Sequence, residues 1–346
     1  VYDVPSEASG ANYFAQNYYT GDGTSSRELD YATFDATEGA MLINKGRTAA
    51  NRYHRVYDTE RGATKALSTG DSAAEEDTTA FLELLSFDDN GVTIGSRTDV
   101  NQTSQTFTHS LFRCHLSETI TVDGQSVTLK HNSKGFGMIE IDRALGSASG
   151  AITFDISAMG LASAPMIWVQ NVDTGGNWAV SHPALSAGQY LHLSRSVAVA
   201  SAVNRFGNNS GGVSPTATSF VLGGSTEVGG AGFSGPGVDR IIIYIFGEIS
   251  TDDAENYFKL FSFSHTNGTP SYQECGWKPA LSCVKASSAG SANWVFRSSY
   301  RGEHIATYLD TNGVESGNFG AHGPFGLEVT GAFPTSTTIG FAVRGN

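Results

Sequence analysis

A chain of 346 residues with 39% hydrophobic and only 16% charged side chains has apolar material for two or three domains with ample core. Its 41 glycines and low charge favour many tight turns between strands, and its 11% aromatic content excludes a disordered chain. A net charge of −13 with no run of Lys or Arg argues against nucleic-acid binding, because phosphate contacts need a basic face; the acidity serves solubility and would repel an anionic envelope until a specific contact forms.

The sequence opens at Val1 without the charged-then-apolar pattern of a leader, and leaves open whether Val1 is a natural mature end. The first turn is Tyr19-Thr20-Gly21-Asp22-Gly23-Thr24, followed by an apolar strand Met41 to Lys45 and an aromatic strand Tyr53 to Asp58 that runs into Arg61-Gly62. Ser72 to Leu85 fits a helix capped by Ser72 or a strand equally well. Asn90-Gly91 predicts a hairpin turn before Val92-Thr93-Ile94, and Phe107 to Arg113 reads as an aromatic strand. The clearest hairpin is Ile120 to Val122, Asp123-Gly124, then Val127 to Leu129, since Asp-Gly accepts the positive φ of primed turns.

Further on, Pro165 to Asn171 and Gly176 to His182 read as strands, and Ile241 to Phe246 reads as a fully buried one. That last run is also the longest apolar stretch, far too short to span a bilayer as a helix. Thr251 to Phe258 has room for one or two helical turns after a Ser/Thr/Asp cap. Asn267-Gly268 and Asn312-Gly313 are weaker turn signals of the hairpin kind. Pro279 to Lys285, Asn293 to Gly302 and Ile339 to Arg344 close the series.

This order repeats. A small-residue turn, an apolar strand ending in Lys45 or Lys285, an aromatic strand running into Arg61-Gly62 or Arg301-Gly302, and an aromatic closing strand occur early and late. A looser middle copy has Pro165 to Asn171, Gly176 to His182 and Ile241 to Phe246, and lacks Arg-Gly. The repeat length is that of one β-sandwich, which predicts an all-β chain with little helix. It predicts three tandem β-sandwich modules over 1–115, 116–250 (with an N-terminal hairpin) and 251–346, packed together without a Pro- or Ser-rich linker.

The same residues carry a resemblance. Tyr19 to Thr24, the Lys-ending strands, Trp178-Ala179-Val180-Ser181-His182 and Tyr300-Arg301-Gly302 are similar to a repeated module of bacteriophage structural proteins, many of them marine. So are Gly160 to Asn171, Arg205-Phe206-Gly207-Asn208-Asn209 and Pro215 to Phe220. The resemblance runs from about Ala11 to Gly345. It implies lectin-like or jelly-roll-like sandwiches in tail fibres and other virion appendages. It supports a place on the virion surface better than any particular ligand; the main reading adds a homo-oligomer, with other virion proteins, whose exposed loops are candidates to attach to a host surface glycan. It brings no catalytic residue and no cofactor.

Individual residues support mostly structural expectations. Arg61 and Arg301 are expected to brace turns through carbonyls or a nearby acid such as Asp58. Trp178 and Trp294 recur at one repeat position, so core anchoring is favoured over sugar stacking, with Trp168 and Trp277 weighed alongside them. Asp88-Asp89-Asn90-Gly91 lacks the spaced acids of a calcium loop, and Asp252, Asp253 and Glu255 read as a helix-start charge cluster. Cys114, Cys275 and Cys283 are no disulfide framework; Cys275 and Cys283 have a spacing that allows a hairpin bridge, but reduced buried thiols are preferred.

The histidines His54, His109, His115, His131, His182, His192, His265, His304 and His322 are scattered, no zinc spacing occurs, and no nucleophile elbow or phosphate loop is present. No catalytic, metal or cofactor residue is therefore assigned, and no binding residue is fixed. Recognition is sought in loops that differ between copies: Ser201 to Pro215, Gly223 to Gly237 and Asn318 to Pro324. The reading is a non-enzymatic virion protein, with a purely architectural tail or capsid component, an extracellular filament subunit and a polysaccharide-degrading enzyme as rivals.

Overall fold

The structure, a computed structural model, describes residues 13–31, 34–48, 52–122, 124–142, 151–202, 204–208, 210–224, 240–290, 292–299, 306–309, 311, 320–330 and 333–344. Within them the fold is all-β. The first part of the chain forms β1 (Phe14–Thr20), β2 (Arg27–Asp30), β3 (Ala40–Gly46), β4 (Arg55–Asp58), β5 (Lys65–Ser68), β6 (Glu76–Asp77), β7 (Leu84–Asp88), β8 (Gly91–Ile94) and β9 (Thr106–Arg113). These pair as a larger sheet β1-β9-β3-β4-β5-β6 and a smaller one β2-β8-β7.

The middle forms β10 (Leu116–Val122), β11 (Gln125–His131), β12 (Phe136–Asp142), β13 (Ile152–Asp155), β14 (Met166–Asn171), β15 (Ala179–Ser181), β16 (Gln189–His192), β17 (Ala200–Ser201), β18 (Ser219–Leu222) and β19 (Arg240–Phe246). Here the sheets are β10-β11-β12-β19-β14-β15-β16-β17 and β13-β18. The last part forms β20 (Phe258–His265), β21 (Ser271–Glu274), β22 (Pro279–Ala286), β23 (Val295–Ser298), β24 (Ala306–Tyr308), β25 (His322–Gly323), β26 (Gly326–Val329) and β27 (Ser336–Arg344), paired as β20-β27-β22-β23-β24 and β21-β26-β25.

One antiparallel order therefore recurs: β1-β9-β3-β4-β5, β12-β19-β14-β15-β16 and β20-β27-β22-β23-β24. The stretches aligned from sequence take matching places, with Met41, Met166 and Leu281 opposite Phe112, Phe246 and Val343. The hairpin β10–β11 is an addition outside β12, and its register of Val122 to Gln125 leaves a two-residue turn with Gly124 at φ +79°.

Strand alternation explains why the third-position strands are buried on every residue. In β19, Ile241, Ile243 and Ile245 face the smaller sheet, while Ile242, Tyr244 and Phe246 face the other way. The second face meets the other two larger sheets. A single apolar cluster takes Phe14, Met41 and Phe112 from the first sheet, Phe136, Trp168 and Phe246 from the second, and Phe258, Leu281 and Phe341 from the third. At its centre the ring of Phe112 lies 5.3 Å from Phe136, 5.8 Å from Phe246 and 6.2 Å from Phe258. Phe246 stacks on Phe341 at 5.0 Å. Each larger sheet thus separates this common centre from a local core under its own smaller sheet.

Polar bonds close the arrangement in a circle. The residue before the fourth-position strand is His54, Trp178 or Trp294. Trp178 donates its indole N–H to Ser68 of the first sheet at 2.7 Å, and Trp294 donates to His192 of the second at 2.7 Å. His54 meets Thr307 of the third at 3.0 Å. A second circle runs the opposite way from the strand ends. The Tyr244 hydroxyl donates to Asp58 at 2.5 Å, His182 Nε2 to the Gly340 carbonyl at 3.1 Å, and Ser298 Oγ to Gln16 at 2.7 Å.

The lysine that ends each aligned strand has a structural task. Lys45 and Lys285 are buried, and their amines donate to carbonyls of the loop that follows, Arg52 for Lys45 and Ala292 at 2.7 Å for Lys285. Gln170 fills the middle place and donates to Gly176 at 3.1 Å. Each donor fixes the loop that delivers His54, Trp178 or Trp294.

Local expectations differ from the structure in two places. Ser72 to Leu85 is not one element: it holds β6, a 3₁₀ turn at Thr79–Phe81 and the start of β7, because Leu82 adopts a left-handed φ of +54° that ends any helix. Asn267-Gly268 is a corner, not a hairpin, since β20 and β21 belong to different sheets; Asn312-Gly313 lies outside the described residues. Thr251 to Phe258 holds one helical turn as expected, the 3₁₀ turn Asp253–Glu255, capped by Asp252 accepting the Ala254 N–H at 2.9 Å.

Because the centre is shared, unfolding should be one cooperative transition for all three larger sheets. Phe246→Ala should lower its midpoint by about 3–5 kcal/mol of stability without splitting it; calorimetry that resolved a separate transition for one sheet pair would contradict this.

Candidate binding surface

Many chemistry-bearing residues singled out from sequence lie inside the molecule. Asp58 and Arg61 have fully buried side chains, with the Arg61 Nε–H donating to Asp58 at 2.7 Å and its backbone N–H at 2.9 Å. The guanidinium also reaches the Val56 carbonyl at 3.1 Å and Glu75 at 3.2 Å. Arg61 therefore braces its turn as expected, while Arg301 lies outside the described residues. Beside it Arg240 holds Glu140 at 2.9 Å, Glu75 at 3.1 Å and Asp173 at 3.0 Å. Burial and the neighbouring Asp58 push the Glu140 carboxyl up to about 7 despite the Arg240 bond.

A second cluster binds Arg55 and Arg97 to Glu76 and Glu83, with Arg97 also on Asp99 at 3.0 Å. These acids are bound to guanidiniums.

The histidines His54, His109, His131, His182, His192, His265 and His322 are buried, and His304 lies outside the described residues. His109 shows the pattern. The Tyr19 hydroxyl donates to the Val100 carbonyl at 2.6 Å, so it accepts from His109 Nε2 at 3.0 Å, leaving Nδ1 to accept from Tyr31 at 2.9 Å. Burial pushes this imidazole down to about 3, so it stays neutral. Trp168, Trp178 and Trp294 are wholly buried and Trp277 nearly so. Cys114, Cys275 and Cys283 are buried and outside any disulfide. Among the described residues no three His, Cys, Asp or Glu side chains stand close enough to hold a metal ion.

Of the loops that differ between copies, Ser201 to Pro215 is described except at 203 and 209. It buries Phe206, lays Arg205 over the Tyr190 ring at 4.4 Å and makes a turn on Asn208. Gly223 to Gly237 lies outside the described residues beyond 224, and Asn318 to Pro324 before 320. An open cleft of about 310 Å³ between β10 and β13 is lined by Glu118, Thr121, Asp155 and Ser157.

The most distinctive exposed feature lies on the outer face of the smaller sheet β21-β26-β25. Tyr272 is 53% exposed and Phe325, in the turn between β25 and β26, is 60% exposed. The backbone that carries Phe325 is fixed: its carbonyl accepts from the Cys275 N–H at 2.7 Å and the Gly276 N–H at 3.1 Å. The tyrosine lies close over two glycines: a Cβ at Gly326 would stand 2.9 Å from its hydroxyl and one at Gly323 3.4 Å from its ring. From inside, buried Arg297 donates to the Glu328 carbonyl at 2.6 Å. The loop picked out from sequence stops at Pro324, one residue short of Phe325. The available signal was Gly323-Pro324-Phe325-Gly326, a large aromatic inside a turn motif.

The sequence profile of a family described as a domain of unknown function, DUF7483, matches residues 9–322. The chain belongs to the DUF7483 family. The DUF7483 match runs through strands of all three larger sheets and ends at the first residue of β25. No curated protein and no solved structure matches the chain.

Glu140 supplies a pH test within this DUF7483 chain. Its pKa is raised on folding, so its contribution to stability is full below its ordinary value near 4.5 and is lost as pH rises through about 7. Glu140→Gln should therefore gain in melting temperature relative to the parent between pH 5 and pH 8; a difference constant across that range would contradict the assignment. Tyr244→Phe removes one donor from buried Asp58 and should cost about 1–3 kcal/mol, read by denaturant unfolding.

Proposed function

We propose that this chain is a non-enzymatic bacteriophage virion protein of tail-fibre or appendage type, built of three repeated sandwich modules, that attaches to host surface glycans. The observation that carries the reading is the closed circle of three larger sheets around one apolar centre. Such a body is rigid, and it turns its smaller sheets and loops outward as presentation surfaces. Repetition in an oligomeric appendage would multiply weak contacts into firm adsorption. The resemblance of the repeated strands to phage appendage modules supports the same reading, as does the binding of the clustered acids Asp58, Glu75, Glu76 and Glu83 to guanidiniums.

Two measurements test it. Antibodies raised against the purified chain should decorate an appendage of intact virus particles in electron microscopy, and the chain should bind host cells saturably. Its absence from particles would overturn the virion reading. Decoration without any cell binding would overturn attachment and leave an architectural component.

A further inference from the structure

We infer that the Tyr272–Phe325 surface is a stacking platform for a neutral hexopyranose of a surface polysaccharide; this rests on the attachment reading above and assigns it a place. Exposed aromatics are common, but these two stand on a backbone that is held before any ligand arrives. The Phe325 carbonyl is tied to two N–H groups of the 275–276 turn, and the Tyr272 ring lies close over Gly323 and Gly326. A backbone held in this way lowers the ordering cost that opposes binding by loose segments. Gly323 and Gly326 supply a floor without side chains, and any Cβ at Gly326 would collide with the tyrosine hydroxyl and with the Gln273 carbonyl.

The surrounding chemistry selects the occupant. Glu328 lies directly opposite Tyr272 in the strand register, and Glu274 lies two residues along on the same face. Glu274 is exposed and Glu328 half-buried. Carboxylates accept hydrogen bonds and do not donate them. Flanking an apolar ring pair, they match a sugar that offers C–H groups on one face and hydroxyl donors at its rim. Two negative charges, on a chain of net charge −13, repel uronic acids, sialic acids and phosphorylated sugars. The same charges give no advantage to a proline-rich peptide, the other ligand that aromatic surfaces take.

The test is electrophoresis of the purified full chain through native gels containing dextran, galactomannan or alginate, with affinities from titration calorimetry. The parent should be retarded by at least one of the two neutral polymers and not by alginate. Tyr272→Ala and Phe325→Ala should each weaken that binding roughly tenfold or more, as truncation of an aromatic anchor does. Phe81→Ala, at a similarly exposed aromatic 52% accessible in the 3₁₀ turn that precedes β7, should leave it unchanged. Because the substituted side chains are exposed, an unaltered melting temperature confirms that each variant is folded. Neutral-polymer binding that survives both substitutions would overturn the platform while leaving glycan attachment intact. Retardation by alginate alone, or binding of a proline-rich peptide in place of any sugar, would overturn the inference as well. A parent that binds no glycan and no host cell would remove the attachment reading itself.

Discussion

Everything in this molecule depends on three β-sheets that are covered on both faces. A sheet with one wet face needs apolar residues only at alternate positions. Here β3, β14 and β22 are buried at every position, because one face meets a smaller sheet and the other meets the common centre. The continuous apolar run Ile241 to Phe246 follows from this: its odd and even residues serve two different cores. Remove any one sheet and the other two would expose a broad aromatic surface around Phe112, Phe246 and Phe341.

Hydrophobic burial is non-directional, so it does not by itself fix how three sheets face one another. The two circles of polar bonds do. Indoles of Trp178 and Trp294 reach the neighbouring sheet in one sense, and Tyr244–Asp58, His182–Gly340 and Ser298–Gln16 answer in the other. These donors and acceptors lie where an unpaired group would be expensive, so each contact penalises a shifted packing. The partners differ from seam to seam: an ion-linked tyrosine, a histidine on a carbonyl, a serine on an amide. Copies that began alike would gain a unique order from such differences.

Much of the fold was legible in the sequence because the determinants are local. Period-two alternation, Asp-Gly at the β10–β11 turn and the recurring Lys-ending strand required only neighbouring residues. The task of Lys45 and Lys285 was not legible, since their acceptors lie across a loop. The Ser72 to Leu85 ambiguity was real at the sequence level; long-range ion pairs from Arg55 and Arg97 to Glu76 and Glu83 settle it. Trp178 and Trp294 were readable as core anchors from their recurrence, whereas Asp58–Tyr244 joins residues 186 positions apart and leaves no local trace. Tyr272 and Phe325 were missed because an exposed aromatic differs from a buried one only in tertiary context.

The central claim is that the three sheet pairs form one cooperative body around a shared centre. Native-state hydrogen exchange on the amides of β3, β14 and β22 addresses it directly. The account predicts that these three strands exchange with one common free energy equal to that of global unfolding. Exchange of one strand through a distinctly cheaper opening, with the other two still protected, would contradict it.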